Sequence, residues 1–212
     1  MPNAIRADIP GHSLHVIHRG RLRRACFVDD EDCAIYRGWL VEFAARFACC
    51  VHAYALMRNH VHLLLTPSRT SGVAGLMRAL DEHYARYVCT AHHCDGALWE
   101  DHYEAVPVHV GRYLLACMRY IELNPVRARV VLRPEQYRWS SFRANALGHD
   151  DALLTPHAHY CALGRSVVSR QAAYRELFRH FATTAPSRRT STRATTRDGA
   201  ASRPRLKRQN RT

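Results

Sequence analysis

"VHAYALMRNHVHLLLTP", residues 51–67, is the stretch whose reading decides the fold. It holds two apolar runs, 51–57 and 60–67, separated by Arg58 and Asn59. Each run has strand length, and Asn suits a tight turn, so the stretch predicts a β-hairpin. The second arm carries His60 and His62 on either side of Val61. Residues two apart on a strand project to the same side. Both imidazoles therefore share one face, while Val61 and Leu63 take the other. Burial leaves each imidazole in need of a hydrogen-bond partner. One metal ion held between them satisfies both. By itself His-x-His is a weak signal, because short patterns recur by chance.

Outward from the hairpin, strands and helices alternate. "HSLHVIHRG" (12–20) alternates like a strand, and Gly20 ends it. Residues 29–50 begin with acids, then place Ile35, Trp39, Leu40, Phe43 and Phe47 at helical spacing. A second helix covers about 71–93, with a stripe of Val73, Leu76, Met77, Leu80, Tyr84, Tyr87 and Val88. "HVGRYLLACMRYIELN" (109–124) reads as a third helix, stopped by Pro125. "YRWSSF" (137–142) and a helix over 169–182 close the series. The order β-α-β-β-α predicts an α+β domain over residues 1–182, an antiparallel sheet with helices packed on one face and an extra C-terminal helix.

Charge supplies the first functional clue. The 212 residues include 31 Lys and Arg against 18 Asp and Glu, a net +13, with pI near 9.9. Nearly all the cations are arginine, which suits planar, bidentate contact with phosphate. The balance points to nucleic acid or another acidic partner. Composition changes near residue 183. Residues 183–212 hold nine Lys and Arg, one acid and one large aliphatic residue, Leu206. Such a segment buries too little apolar surface to fold alone and is expected to be a disordered basic tail. No run reaches the roughly 18 apolar residues that span a membrane, and the N-terminus lacks the apolar core of a secretory signal. A cytoplasmic, nucleoid-associated protein is expected, with its eight cysteines as thiols. "CTAHHC" (89–94) lacks the second ligand pair of a zinc site, so cysteines on a helix face are the simpler reading.

A second constellation joins the histidines. In "RYIELNPV" (119–126), Tyr120 and Asn124 are four apart on a helix and share a face. Asn124 offers a carbonyl oxygen, a suitable third ligand for a hard cation. Tyr120 brings a phenol to the same pocket. A phenol with pKa about 10 is a poor nucleophile at neutral pH, but it can attack a phosphorus whose charge a divalent ion withdraws. A core tyrosine is the bland alternative. Glu122 points elsewhere on the helix, and pairing with Arg119 is its plainest account.

"YALMRNHVHLLLTP", "LMRALDEHYARYV", "GALWEDHY", "RYIELNPVRARVV" and "YRWSSF" resemble, in order and spacing, the HUH-type single-tyrosine transposases, and most closely the REP-associated branch. The resemblance covers about residues 12–182. It implies a ferredoxin-like or RRM-like fold with the His-x-His on a central strand. It also implies Tyr120 as nucleophile, and His60, His62 and Asn124 holding Mg²⁺ or Mn²⁺. The implied reaction is cleavage of single-stranded DNA through a covalent 5′-phosphotyrosine, followed by strand transfer, on hairpin-forming palindromic repeats. Arg19, Arg21, Arg23 and Arg24 would form a basic loop gripping the hairpin. His102 stands where family members often have a phosphate-facing arginine, and Arg58 and Arg129 are two further departures. Monomer and homodimer both fit the resemblance. The rival class is a non-catalytic DNA-binding protein descended from a transposase.

Overall fold

The structure, a computed structural model, describes residues 9–93, 96–109 and 111–179. The expected basic tail, 183–212, lies outside the described residues, as does Cys94 of the "CTAHHC" stretch. The elements are β1 (Leu14–Arg19), α1 (Asp30–Arg46), β2 (Cys49–Met57), β3 (His60–Pro67), α2 (Gly72–His92), β4 (Glu104–Pro107), α3 (Arg112–Glu122), α4 (Asn124–Arg127), α5 (Phe142–Leu147), α6 (Ala158–Cys161) and α7 (Val167–Glu176). The four strands form an antiparallel sheet in the order β2-β3-β1-β4, which is the ferredoxin-like arrangement. None of the seven described cysteines is in a disulfide.

β3 lies inside the sheet, between β2 and β1. Its odd-numbered side chains Val61, Leu63 and Leu65 join a core with Leu14 and Val16 of β1, Tyr36, Leu40 and Phe43 of α1, and Leu76, Leu80 and Tyr84 of α2. Asp29 caps α1 by accepting from the Asp32 amide, which explains the acids read at that helix start. Gly75 lets α2 approach closely: a Cβ there would fall 2.5 Å from the Phe47 ring.

The opposite face of the sheet is covered too, which corrects the expectation of helices on one face. Leu64 with Ala53 and Ala55 of β2 meets Leu114, Met118 and Ile121 of α3. Phe142 and Ala146 of α5, Tyr160 of α6 and Tyr174 of α7 complete that layer. Small side chains on β2 let α3 sit close to the sheet. Each fully buried Leu or Ile at this contact contributes about 1.5–3 kcal/mol. Burial on both faces is why β2 and β3 read as nearly continuous apolar runs instead of strict alternation.

β4 was not anticipated in sequence. It is a four-residue edge strand, too short to show a period. Pro125 also acts differently from the expected stop. It occupies the first turn of α4, where a missing N–H is tolerated. The chain therefore continues past it, with Arg127 N bonding Leu123 O and Ala128 N bonding Asn124 O.

Glu122 is fully buried in the second core. Its carboxyl accepts from Ser141 Oγ at 2.6 Å, Asn145 Nδ2 at 2.9 Å and Tyr174 Oη at 2.8 Å. The expected pairing with Arg119 is not made; the Arg119 guanidinium donates to Leu177 O instead. One carboxyl thus ties α3 to α5 and α7. Burial pushes its pKa up to about 7, against three stabilising hydrogen bonds. The folded form therefore holds the proton more tightly than the unfolded chain, and this contribution to stability is lost as pH rises from about 4.5 to about 7. Chemical denaturation at pH 5 and pH 7.5 should show that Glu122→Gln removes part of the wild-type decline. Glu122→Ala, which leaves the buried Tyr174 hydroxyl and one Asn145 N–H without an acceptor, should cost about 3 kcal/mol or more.

Candidate active site

The two-residue period of β3 sends His60 and His62 to the α3 face, in line with Leu64. Strand register fixes their neighbours. Arg19 of β1 pairs with His60, and Ile17 with His62. Ala55 of β2 lies beside His62 on the other flank and leaves room for its ring. The two imidazole centroids are 4.9 Å apart.

α3 brings the phenol to them. Leu114, Met118 and Ile121 face the sheet, so Tyr120 and, one and two turns on, Asn124 and Arg127 form an adjacent stripe. The Tyr120 ring stands edge-on to His62, with centroids 6.0 Å apart. At 39% exposure it is reachable from solvent. The Arg127 guanidinium lies 4.7 Å from the Tyr120 ring centroid, a cation–π contact.

Asn124 is oriented by the proline after it. Pro125 has no N–H to give to Ile121 O, four residues back. The Asn124 side-chain Nδ2 serves that carbonyl at 3.4 Å and Tyr120 O at 3.0 Å. Both bonds use the NH₂ end, so Oδ1 is not consumed by them. Among the described residues no three His, Cys, Asp or Glu side chains are grouped to hold a metal.

The electrostatics keep the imidazoles neutral. Burial, then the neighbouring His15, His60 and Arg19, lowers the His62 pKa to about 3. Burial lowers that of His15 to about 4, with Glu104 opposing and Arg19 assisting. Burial and then Arg19 lower that of His60. A neutral imidazole retains a lone pair, the form a cation requires. For His60 the nitrogen bearing it can be named. Its Nδ1 is 2.7 Å from Asn59 Oδ1, and Asn59 Nδ2 in turn donates to Arg23 O at 3.4 Å. An amide oxygen only accepts, so Nδ1 carries the proton and Nε2 the lone pair.

The remaining expected residues divide. Arg19 is not part of a loop. It ends β1 on the histidine face and pairs with Glu104 at 2.6 Å. Arg21 and Arg23 sit in a single 3-10 turn, with Arg24 just after it, and all three are exposed. That turn is pinned beside the hairpin: Gly20 N donates to Asn59 O, and Cys26 N to Arg58 O. Its arginines therefore lie at the end of the sheet where His60 begins. His102 is exposed just before β4. Three neighbours were missed in sequence: His15, Asn59 and Arg127. Alternation along "HSLHVIHRG" does put His15, Ile17 and Arg19 on one face, but nothing local says that this face meets His62.

Residues 9–124 match the family model described as "Transposase IS200 like". The chain belongs to the IS200-like transposase family. In a comparison of folds it is similar to a REP-associated tyrosine transposase solved bound to a REP hairpin, at 14% identity. That match covers 74% of this chain and 93% of the other, with a TM-score of 0.57. A protein from Deinococcus radiodurans R1, provisionally named a transposase, shares 25% identity over 57% of this chain and 96% of its own. Its TM-score is 0.40, too low to bear on the fold. No curated protein matches the sequence significantly. Membership agrees with the resemblance read from the five motifs. Among the described residues no helix is long and apolar enough to cross a membrane.

The lowered pKa values give a direct expectation for the metal-free protein. An imidazole whose pKa falls on folding adds stability above pH 6.5 that is lost as pH falls toward the folded value. In an NMR titration the His15 and His62 rings should remain neutral at pH 5. Midpoints near 6.5 would contradict the description.

Proposed function

We propose that this chain is a metal-dependent strand transferase for single-stranded DNA, acting on hairpin-forming palindromic repeats with Tyr120 as nucleophile. The observation that carries the reading is the Tyr120 ring held against His62 of the His60–His62 pair by α3, a helix packed on the same face of the sheet. A core tyrosine needs no such neighbours, and a DNA-binding protein without chemistry has no use for an accessible phenol there.

His60 and His62 would hold Mg²⁺ or Mn²⁺ through nitrogen, and Asn124 through Oδ1; imidazole suits Mn²⁺ better, while an amide oxygen suits both. Bound there, the ion supplies charge withdrawal from the phosphate to be attacked. The rest belongs to the protein. Arg127 and His62 hold the Tyr120 ring so that the phenol oxygen faces the DNA in one orientation. That oxygen bonds to phosphorus, and the bond from phosphorus to the 3′ oxygen breaks. The phenol proton goes to solvent, and the departing 3′ oxygen takes one up. The 5′ phosphate stays on Tyr120 until a 3′ hydroxyl reverses the exchange. One phosphodiester replaces another, so no nucleotide triphosphate is consumed.

Arg21, Arg23 and Arg24 would bind backbone phosphates next to the site, and the basic tail would add sequence-independent affinity. The chain would work in the cytoplasm, associated with the nucleoid, as a monomer or a homodimer. The domain would span residues 1–182.

Incubation with Mn²⁺ and end-labelled hairpin DNA, followed by detergent and gel electrophoresis, tests the reading. A covalent adduct is expected, lost in Tyr120→Phe with hairpin affinity within about twofold of wild type. Cleavage without an adduct would point to activated water. Binding alone would identify a DNA-binding descendant that has lost the chemistry. Each of Arg21→Ala, Arg23→Ala and Arg24→Ala should lower the salt slope of hairpin binding by about one unit, as loss of one phosphate contact does.

A further inference from the structure

His15 of β1 lies beside His62 on the α3 face. Its Nε2 is 2.9 Å from His62 Nδ1, and the two rings stack with centroids 5.1 Å apart. His15 also meets the Tyr120 ring, centroid to centroid at 5.9 Å. It is 47 residues from His62 in sequence and belongs to none of the motifs.

The contact constrains which nitrogen of His62 is available. A separation of 2.9 Å between two ring nitrogens is a hydrogen bond, so one proton lies between Nε2 of His15 and Nδ1 of His62. If it belongs to His15, then His62 carries its own proton on Nε2. Its sole lone pair, on Nδ1, is then spent on the hydrogen bond, and it can bind nothing further. If it belongs to His62, then His62 Nε2 has a lone pair to offer. His60 is already in that form through Asn59. The two histidines can act together only in the second arrangement.

We infer that His15 is a positioning residue that accepts the Nδ1 proton of His62, fixing the ring orientation and the tautomer that leave Nε2 for a divalent cation. Asn59 does the same for His60, so the pair is set by two different acceptors on two different elements. Metal-bound histidines as a rule give their second N–H to such a partner, and removing it typically costs about 10–100-fold in metal affinity. The inference rests on the metal-site reading above, and its test separates the two.

Mn²⁺ binding to the full chain, followed by the EPR signal of the free ion, is the readout. His15→Leu should weaken Mn²⁺ by about 10-fold or more. His15→Gln, which can place an amide oxygen near the position of Nε2, should restore affinity to within about threefold. Unchanged affinity in His15→Leu overturns the inference. So does a loss in His15→Gln equal to that in His15→Leu. Unchanged affinity in His62→Ala overturns the metal site itself, which distinguishes the two failures. A measurement without any variant guards against misfolding: long-range ¹H–¹⁵N spectra of the Mg²⁺-loaded protein should show His62 protonated on Nδ1. Protonation on Nε2 contradicts the inference.

Discussion

β3 is covered by helices on both faces, and the site depends on which of its side chains turn toward α3. The two-residue period leaves little freedom. Val61, Leu63 and Leu65 must enter the larger core, so His60, His62 and Leu64 must face the other way. A slip of one residue would put two imidazoles among Tyr36, Phe43 and Tyr84. β1 obeys the same rule. His18 goes to the larger core and stacks on Trp99, while His15 and Arg19 go to the site.

α3 meets this surface on equally narrow terms. Its apolar side chains rest on Ala53, Ala55 and Leu64, which sets the height of the helix above the sheet. Glu122 fixes the rotation by engaging α5 and α7 through three hydrogen bonds. Once Leu114, Met118, Ile121 and Glu122 are buried, Tyr120 has one direction left, along the row of imidazoles. Pro125 then frees a backbone carbonyl for the Asn124 amide and continues the chain to Arg127. The C-terminal helices thus do structural work for a helix that would carry the chemistry.

Much of this was legible in the sequence because it is local. The hairpin at 51–67, the strand at 12–20 and the first two helices are written in short-range periods and turn residues. So is the pairing of Tyr120 with Asn124, one helical turn apart. The rest depends on contacts far apart in the chain. β4 is too short to show a period, and the second helical layer announces itself only through runs that are apolar on both sides. Glu122 looked like a surface partner for Arg119 because its true partners are 19, 23 and 52 residues away. His15 was legible as a strand residue, but its contact with His62 is a matter of register between β1 and β3, which no single stretch encodes.

The central claim is that His60, His62 and Asn124 bind one divalent cation next to the Tyr120 phenol. Anomalous diffraction from crystals soaked in Mn²⁺ tests it most directly. The account predicts one strong peak within coordination distance of Nε2 of both histidines and of Asn124 Oδ1, on the side facing Tyr120. A peak elsewhere, or none at saturating Mn²⁺, would contradict it.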